Sequence, residues 1–328
     1  MTWNLDRSQV AIATNTTLIE IYSVRPQGWT KTHTLTEHDQ LVAVVDWHGA
    51  TDRLLSASHD RNAYVWEFNG TRWIPNLVIM KNRRAILDAT WSQSGTKIAL
   101  GTGGKKVVIG RFNPDLAAWS TKLLSKVHTS AVTCVRFHPS GLYVASGGTD
   151  GVCNVTSCYL EIVDGPRPGV PALGETMYTV DLNRVWINAL SWSLDGLYLA
   201  IAAHNSTVTF FSLESNSSTS VTWPGRPFSA IEFVGNDKAI GGGWDFVPVE
   251  INKSADRWLM GNKLDGEDRS RGARSRSLVQ SMKNQFERVE DVSVASIHQG
   301  LLTSIRYLGS NKVATADVTG LVHVWTLA

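Results

Sequence analysis

Three cysteines in 328 residues, Cys134, Cys153 and Cys158, are odd in number and too few for a disulfide framework, and their spacing fits no metal site. They read as core thiols of a reducing compartment. No apolar run approaches the roughly 18 residues that a membrane span needs, and no signal peptide opens the chain, so no membrane partner is expected. An excess of one charge is missing too. Lys and Arg number 31 against 29 Asp and Glu, a net +2, which argues against a surface that coats nucleic acid. A phosphate-cradling loop is also absent, because Gly101–Gly104 is a strand-end turn with no helix after it. The histidines have no paired acids at a catalytic spacing. Neither enzymatic activity, metal nor cofactor is expected.

Aromatic rings, by contrast, are plentiful, with 13 Trp in the chain. The stretch from Ser56 to Trp66 reads as a strand, a tight turn at His59 and Asp60, and a second strand ending on Trp66. Upstream lie His38 and an alternating run from Leu41 to Trp47. A His, three short strands, an Asp-bearing turn and a terminal Trp are the pattern of a WD-type propeller blade. The physical reason is a shared set of donors and acceptors. The imidazole of His38, the carboxylate of Asp60, a hydroxyl (Ser56 or Ser58) and the indole N–H of Trp66 can satisfy one another, whereas an unpaired buried donor costs about 1–3 kcal/mol.

The pattern recurs. Third strands end near Tyr22, Trp66, Phe112, Thr156, Phe211, Ile251 and Trp325, close to the ~40–45-residue period of such blades. About ten extra residues separate the fourth anchor from the fifth, and about thirty the sixth from the seventh. Seven anchors predict an all-β, seven-bladed propeller over residues 1–328. His128 and Asp150 restore the network in blade four, where Thr156 stands in the Trp position. His298 falls at or near the same position in blade seven. Lys106 replaces the turn Asp in blade three. Between Ser157 and Gly174, Pro166, Pro168 and Pro171 exclude helix and central strand, leaving a stiff surface loop. Thr2 and Trp3 already lie in an inner strand and the chain stops just past Trp325, so blade seven is expected to lack an outer strand, its edge open or covered by a partner.

Residues 265–291 are the segment the blades leave over. Arg269, Arg271, Arg274 and Arg276 alternate with Ser, Gly and Ala, and a helical pattern follows. Ser277 and Gln280 form a capping box, and Leu278, Met282, Phe286 and Val289 share one helical face. A helix of about twelve residues is marginal alone in water, so it should dock, either on its own propeller or in a partner's groove. The arginines read as a solvated linker, an RNA contact or an acidic-peptide contact.

The strings Ser58–Trp66 and Trp73–Ile79, with Trp3-Asn4, Thr34–His38, Asn82–Ala85 and Trp244–Pro248, closely resemble the WD-repeat subunit of the actin-related protein 2/3 complex. The resemblance runs from Thr2 to Trp325. It implies a non-catalytic subunit of the cytoplasmic assembly that nucleates branched actin filaments in the actin cytoskeleton. Its implied partners are the actin-related proteins and small subunits of the complex, the mother actin filament, and nucleation-promoting factors through their acidic tails. It further implies that the helix-bearing insertion between blades six and seven touches actin, which assigns Leu278, Met282 and Phe286 as the contact and Arg274 and Arg276 as its charged approach. His38, Asp60, Trp66, His128 and Asp150 remain structural. Set against the family, the chain lacks the N-terminal strand, the C-terminal tail and a Gly/Ala-rich part of the insertion. The rival reading is a generic WD adaptor that recruits phosphopeptides, for example to a ubiquitin ligase. It would need arginines at blade-top turns, where Arg61, Arg83 and Arg84 are the main examples.

Overall fold

The computed structural model describes residues 1–255, 257–265 and 296–327. Short strands of mostly six or seven residues follow one another through tight turns and pair antiparallel with their sequence neighbours. Blade one comprises Thr2–Trp3, Gln9–Ala13, Ile19–Arg25 and Gly28–Leu35, and blade two Val42–His48, Arg53–Ser58, Ala63–Phe68 and Trp73–Ile79. Blade three holds Ile86–Trp91, Lys97–Thr102, Val107–Asn113 and Ala118–Leu124. In blade four the strands are Val132–Phe137, Tyr143–Gly148, Val152–Ser157 and Thr176–Asp181. Blade five has Ile187–Trp192, Tyr198–Ala203, Thr207–Ser212 and Ser217–Thr222; blade six has Phe228–Phe233, Lys238–Gly243, Val249–Ser254 and Arg257–Lys263. Blade seven contributes three strands among the described residues, Leu302–Gly309, Lys312–Asp317 and Val322–Thr326. The expected seven-bladed, all-β propeller is the observed fold.

Burial explains the composition of each layer. Second strands are sandwiched between neighbouring blades, and Lys97–Thr102 is buried at every position. Outer strands face solvent, and Ser217–Thr222 carries almost nothing but hydroxyls. Blades pack face to face, so second strands favour small residues such as Ala57, Ala99, Ala145 and Ala200. Gly147 marks one close approach: a Cβ there would lie 2.6 Å from Ile187 of the next blade. Blades two and three are joined further at their rims, where Trp119 and Ser120 pair in parallel with Val78 and Ile79. The ring closes where the Ser304 hydroxyl of blade seven donates to the Met1 carbonyl (3.5 Å) and both blades line the central channel.

The stretch expected as a plain surface loop is more than that. Glu161–Asp164 forms one helical turn ahead of the prolines, and Asp164 accepts two bonds from Lys97 Nζ at 2.7 and 2.8 Å. Lys97 is wholly buried, so the loop is locked onto blade three through an ion pair. Proline does exclude helix from residues 165–171, where none forms. The helix expected at Leu278–Val289 lies outside the described residues.

Candidate functional site

Three blades carry a proton-ordered relay at one end of the ring. In blade two the Trp66 indole N–H donates to Ser56 Oγ (2.9 Å), which lies 2.8 Å from His38 Nε2. His38 Nδ1 is 2.8 Å from Asp60 Oδ2. With the ring neutral, this order places the proton on Nδ1, because Ser56 uses its own hydrogen toward Nε2. Asp60 also accepts the backbone N–H groups of Asp39 (3.0 Å) and Asn62 (2.8 Å), which fixes the turn. Of the two hydroxyls considered, Ser56 is in the relay; Ser58 donates to the Gln40 carbonyl and accepts from the Asp60 N–H. Burial lowers the His38 pKa below its ordinary value, against the raising influence of Asp60.

Blade four repeats the arrangement without its indole. His128 Nε2 lies 2.8 Å from Ser146 Oγ, and Nδ1 is 3.2 Å from each Asp150 oxygen. Thr156 occupies the third strand in place of a Trp, and its buried hydroxyl has no hydrogen-bond partner. Burial again lowers the imidazole pKa. For Asp150, burial pushes the pKa up, but the Thr129 N–H and His128 outweigh it and hold the carboxyl below its ordinary value. Blade seven completes a third relay: Trp325 donates to Thr315 Oγ1 (2.8 Å), which is 2.6 Å from His298 Nε2, and Nδ1 is 2.9 Å from Asp317.

A second set of polar residues, invisible to local reading, lines the central channel. The residue just before the terminal aromatic of several inner strands reaches across to the next blade. Thr2 Oγ1 accepts from Trp47 N–H (2.9 Å), Asp46 from Trp91 N–H (2.9 Å) and Ser191 from Phe233 N–H (2.9 Å). Asp88 accepts from Val135 N–H (2.8 Å) and pairs with Arg136 Nη1 at 2.6 Å. Burial raises the Glu232 pKa, opposed by Arg306 and Arg136. Thr2, Asp46, Arg136, Ser191, Glu232 and Arg306 line a cavity of about 600 Å³. They stitch blade to blade. Burial also pushes the thiols of Cys134 and Cys158 up to about 12, so both stay protonated and inert near neutrality.

The outer rim offers a different chemistry. Leu77 and Ile79 point outward on either side of buried Val78, with exposures of 48% and 57%. Phe68 and Phe112 lie on the third strands of the two blades whose rims join, each about 40% exposed. Leu77 and Ile79 form an exposed apolar edge, while Phe112 shares the opposite face with Val78 and Trp119, and Phe68 sits beside Trp73 at the far end of the strand. Across the ring, the insertion has a fixed base: the Ile297 N–H donates to Asp265 (2.5 Å), which brings together the described residues that bracket positions 266–295. Arg274, Arg276, Leu278, Met282 and Phe286 fall outside the described residues. Among the described residues, no group of three or more His, Cys, Asp and Glu could hold a metal ion, and no helix is long and apolar enough to cross a membrane.

Comparison with known proteins agrees with this geometry. The WD domain, G-beta repeat, family matches residues 29–67 and 121–157, the segments that contain the relays of blades two and four. Curated relatives match nearly end to end. Actin-related protein 2/3 complex subunit 1B of Arabidopsis thaliana is 31% identical over 350 residues, covering 99% of this chain and 93% of the relative. Subunit 1A-B of Xenopus laevis is 28% identical, covering 98% and 92%. Subunit 1 of Schizosaccharomyces pombe is 25% identical, covering 99% and 95%.

Proposed function

Because the chain belongs to the actin-related protein 2/3 complex subunit 1 family, we propose that it is the propeller subunit of that complex, a non-catalytic scaffold that joins other subunits and helps to form actin branches in the cytoplasm. The observation that carries this reading is the 31% identity to the Arabidopsis relative over 99% of this chain and 93% of the other. Rigidity supports a scaffold role. Three buried relays fix the turns within their blades and the channel stitching fixes blade to blade, so surfaces on different blades keep constant relative positions.

The exposed rim edge of Leu77 and Ile79 suits the small non-actin subunits, since exposed apolar groups on a rim strand are what a stable protein interface buries. For the insertion we propose contact with mother-filament actin through Leu278, Met282 and Phe286, approached by Arg274 and Arg276. The paired base at Asp265 and Ile297 supports this, because it gives the arm a defined point of departure. Acidic tails of nucleation-promoting factors are proposed as partners of the propeller as well.

A reconstituted complex carrying Leu278→Asp with Phe286→Asp tests the reading. It should assemble normally yet form branches at roughly a tenth of the wild-type rate, as loss of two apolar anchors would require. Unchanged branching would remove the arm from the mechanism. Failure of the wild-type chain to enter the complex would remove the subunit assignment itself.

A further inference from the structure

Blade three breaks the pattern of its neighbours in a way that the scaffold role does not use. Its turn after the second strand carries Gly104, not Lys106 as expected, where blades two and four have Asp60 and Asp150. The Thr102 N–H donates to the Lys106 carbonyl as the Ser58 N–H does to Asn62, so Lys105 and Lys106 correspond to Arg61 and Asn62. Because strands within a blade alternate in direction, the links between blades and the turns after second strands open on the same end of the ring. At that end blade three is built from three segments, residues 80–85, 103–106 and 125–131. They hold six exposed cations, Lys81, Arg83, Arg84, Lys105, Lys106 and Lys126, and no carboxylate.

Strand register gathers these cations. The Gly103 N–H donates to the Ala85 carbonyl (2.9 Å), and Arg84 lies against Gly104. Val107 pairs with Leu124, which sets Lys106 beside the start of the link that bears Lys126. Among the described residues no carboxylate pairs with them. The lysines and arginines that form ion pairs among the described residues are Lys31, Arg53, Lys97, Arg136, Lys238 and Lys253, none of them in this group. The nearest turn acids are already engaged, Asp60 by His38 and Asp150 by His128 and Thr129. Among the described residues, the exposed carboxylates at this end, Glu37, Asp39 and Asp181, lie on links beside other blades.

The same end carries two exposed indoles beyond blade four. Trp186 (55% exposed) precedes the first strand of blade five, and Trp244 (42%) lies in the turn after the second strand of blade six. Exposed Arg184 and Arg226 accompany them. Six cations on blade three, with Trp–Arg pairs two and three blades away, suit a ligand broad enough to lie across several blades. Side chains of the six cations make no hydrogen bond among the described residues, so they offer a diffuse positive field and not a preformed fork for one carboxylate. Diffuse clusters of four to eight Lys and Arg, with Trp at headgroup depth, are what an anionic bilayer surface attracts.

We propose that this end of the ring is a peripheral docking surface for a membrane rich in anionic lipids, with the blade three cations supplying attraction and Trp186 and Trp244 the interfacial anchors. The chain has no apolar run long enough for a span, but a surface patch assembled from one turn and two inter-blade links needs none to lie against a bilayer.

Co-sedimentation of the whole chain, in the assembly recovered from its own cells, tests the proposal. The probes are vesicles of phosphatidylcholine alone and of phosphatidylcholine with roughly 30% phosphatidylserine. Binding is expected only to the anionic vesicles, falling with salt. Each cation lost should weaken it about fivefold, so Lys105→Ala, Lys106→Ala and Lys126→Ala together should cost about 100-fold. Lys122→Ala, an exposed lysine on the blade three rim, should change nothing. Absence of vesicle binding, or a triple variant that binds like wild type, would overturn the proposal. So would capture of a soluble polyglutamate peptide in place of vesicles with the same loss in the triple variant, which would assign the patch to a protein partner.

Discussion

Blades two and three share a joined rim yet fix their tops by opposite means. Blade two spends its turn on structure: Asp60 is buried and receives the His38 ring and two backbone N–H groups. Blade three has no such relay, and its turn residues, Lys105 and Lys106, are exposed to solvent. Blade three holds itself elsewhere, through Lys97 and Asp164 on its outer side and Asp88 and Arg136 toward the channel. The difference teaches that a propeller tolerates loss of the relay when ion pairs with a neighbouring blade replace it. The turn freed from structural duty can then carry surface charge.

The largest effect expected from this contrast is at Asp60. Asp60→Ala strips the acceptor from three donors at a 6% exposed site and should destabilise the chain by about 3 kcal/mol in chemical denaturation. A loss below about 1 kcal/mol would show that water replaces the carboxylate.

An intermediate effect concerns pH. Burial sets the folded pKa of His38 and His128 below the ordinary 6.5, so the unfolded chain takes up those protons first as pH falls. Stability from these two groups is complete above about pH 6.5 and declines below it. Asp150 and Asp317 have folded values below 3.8, so a second loss begins only as pH falls through that region. Denaturation midpoints at pH 7, 6 and 5 should therefore drop progressively, and His128→Gln should flatten the slope. An equal slope in the variant would remove blade four from the account.

The smallest effect is expected in blade three. Gly104→Asp places an acid at the position of Asp60 without its His and should shift stability by no more than about 0.5 kcal/mol, because the position lies in a surface turn and no ring faces it. A large gain would mean that blade three retains an unfilled relay site.

How much of this is legible in sequence depends on how local each signal is. The blades are readable because terminal aromatics such as Trp66 and Trp325 recur with the repeat. His38 with Asp60, and His128 with Asp150, are each separated by 22 residues, so one pair points to the other. Asp317 is only 19 residues from His298, and that shorter spacing hides it although His298 itself stands out. The channel residues are harder still, since Asp88 and Arg136 are 48 apart and belong to different blades. Alignment of inner strands on their aromatics would have found them, at Asp46-Trp47, Arg136-Phe137, Glu232-Phe233 and Arg306-Tyr307. Lys97 offered no signal, because its partner Asp164 lies 67 residues on, in a segment outside the repeat. The cations of blade three were visible singly, but only the strand register shows that one turn and two links converge.

The most direct test of the scaffold assignment is the native mass of what the tagged chain brings with it from its own cells. The account predicts a stoichiometric assembly with two actin-related proteins and several small subunits. Recovery of the chain alone, or with a ubiquitin ligase or RNA in their place, would contradict it.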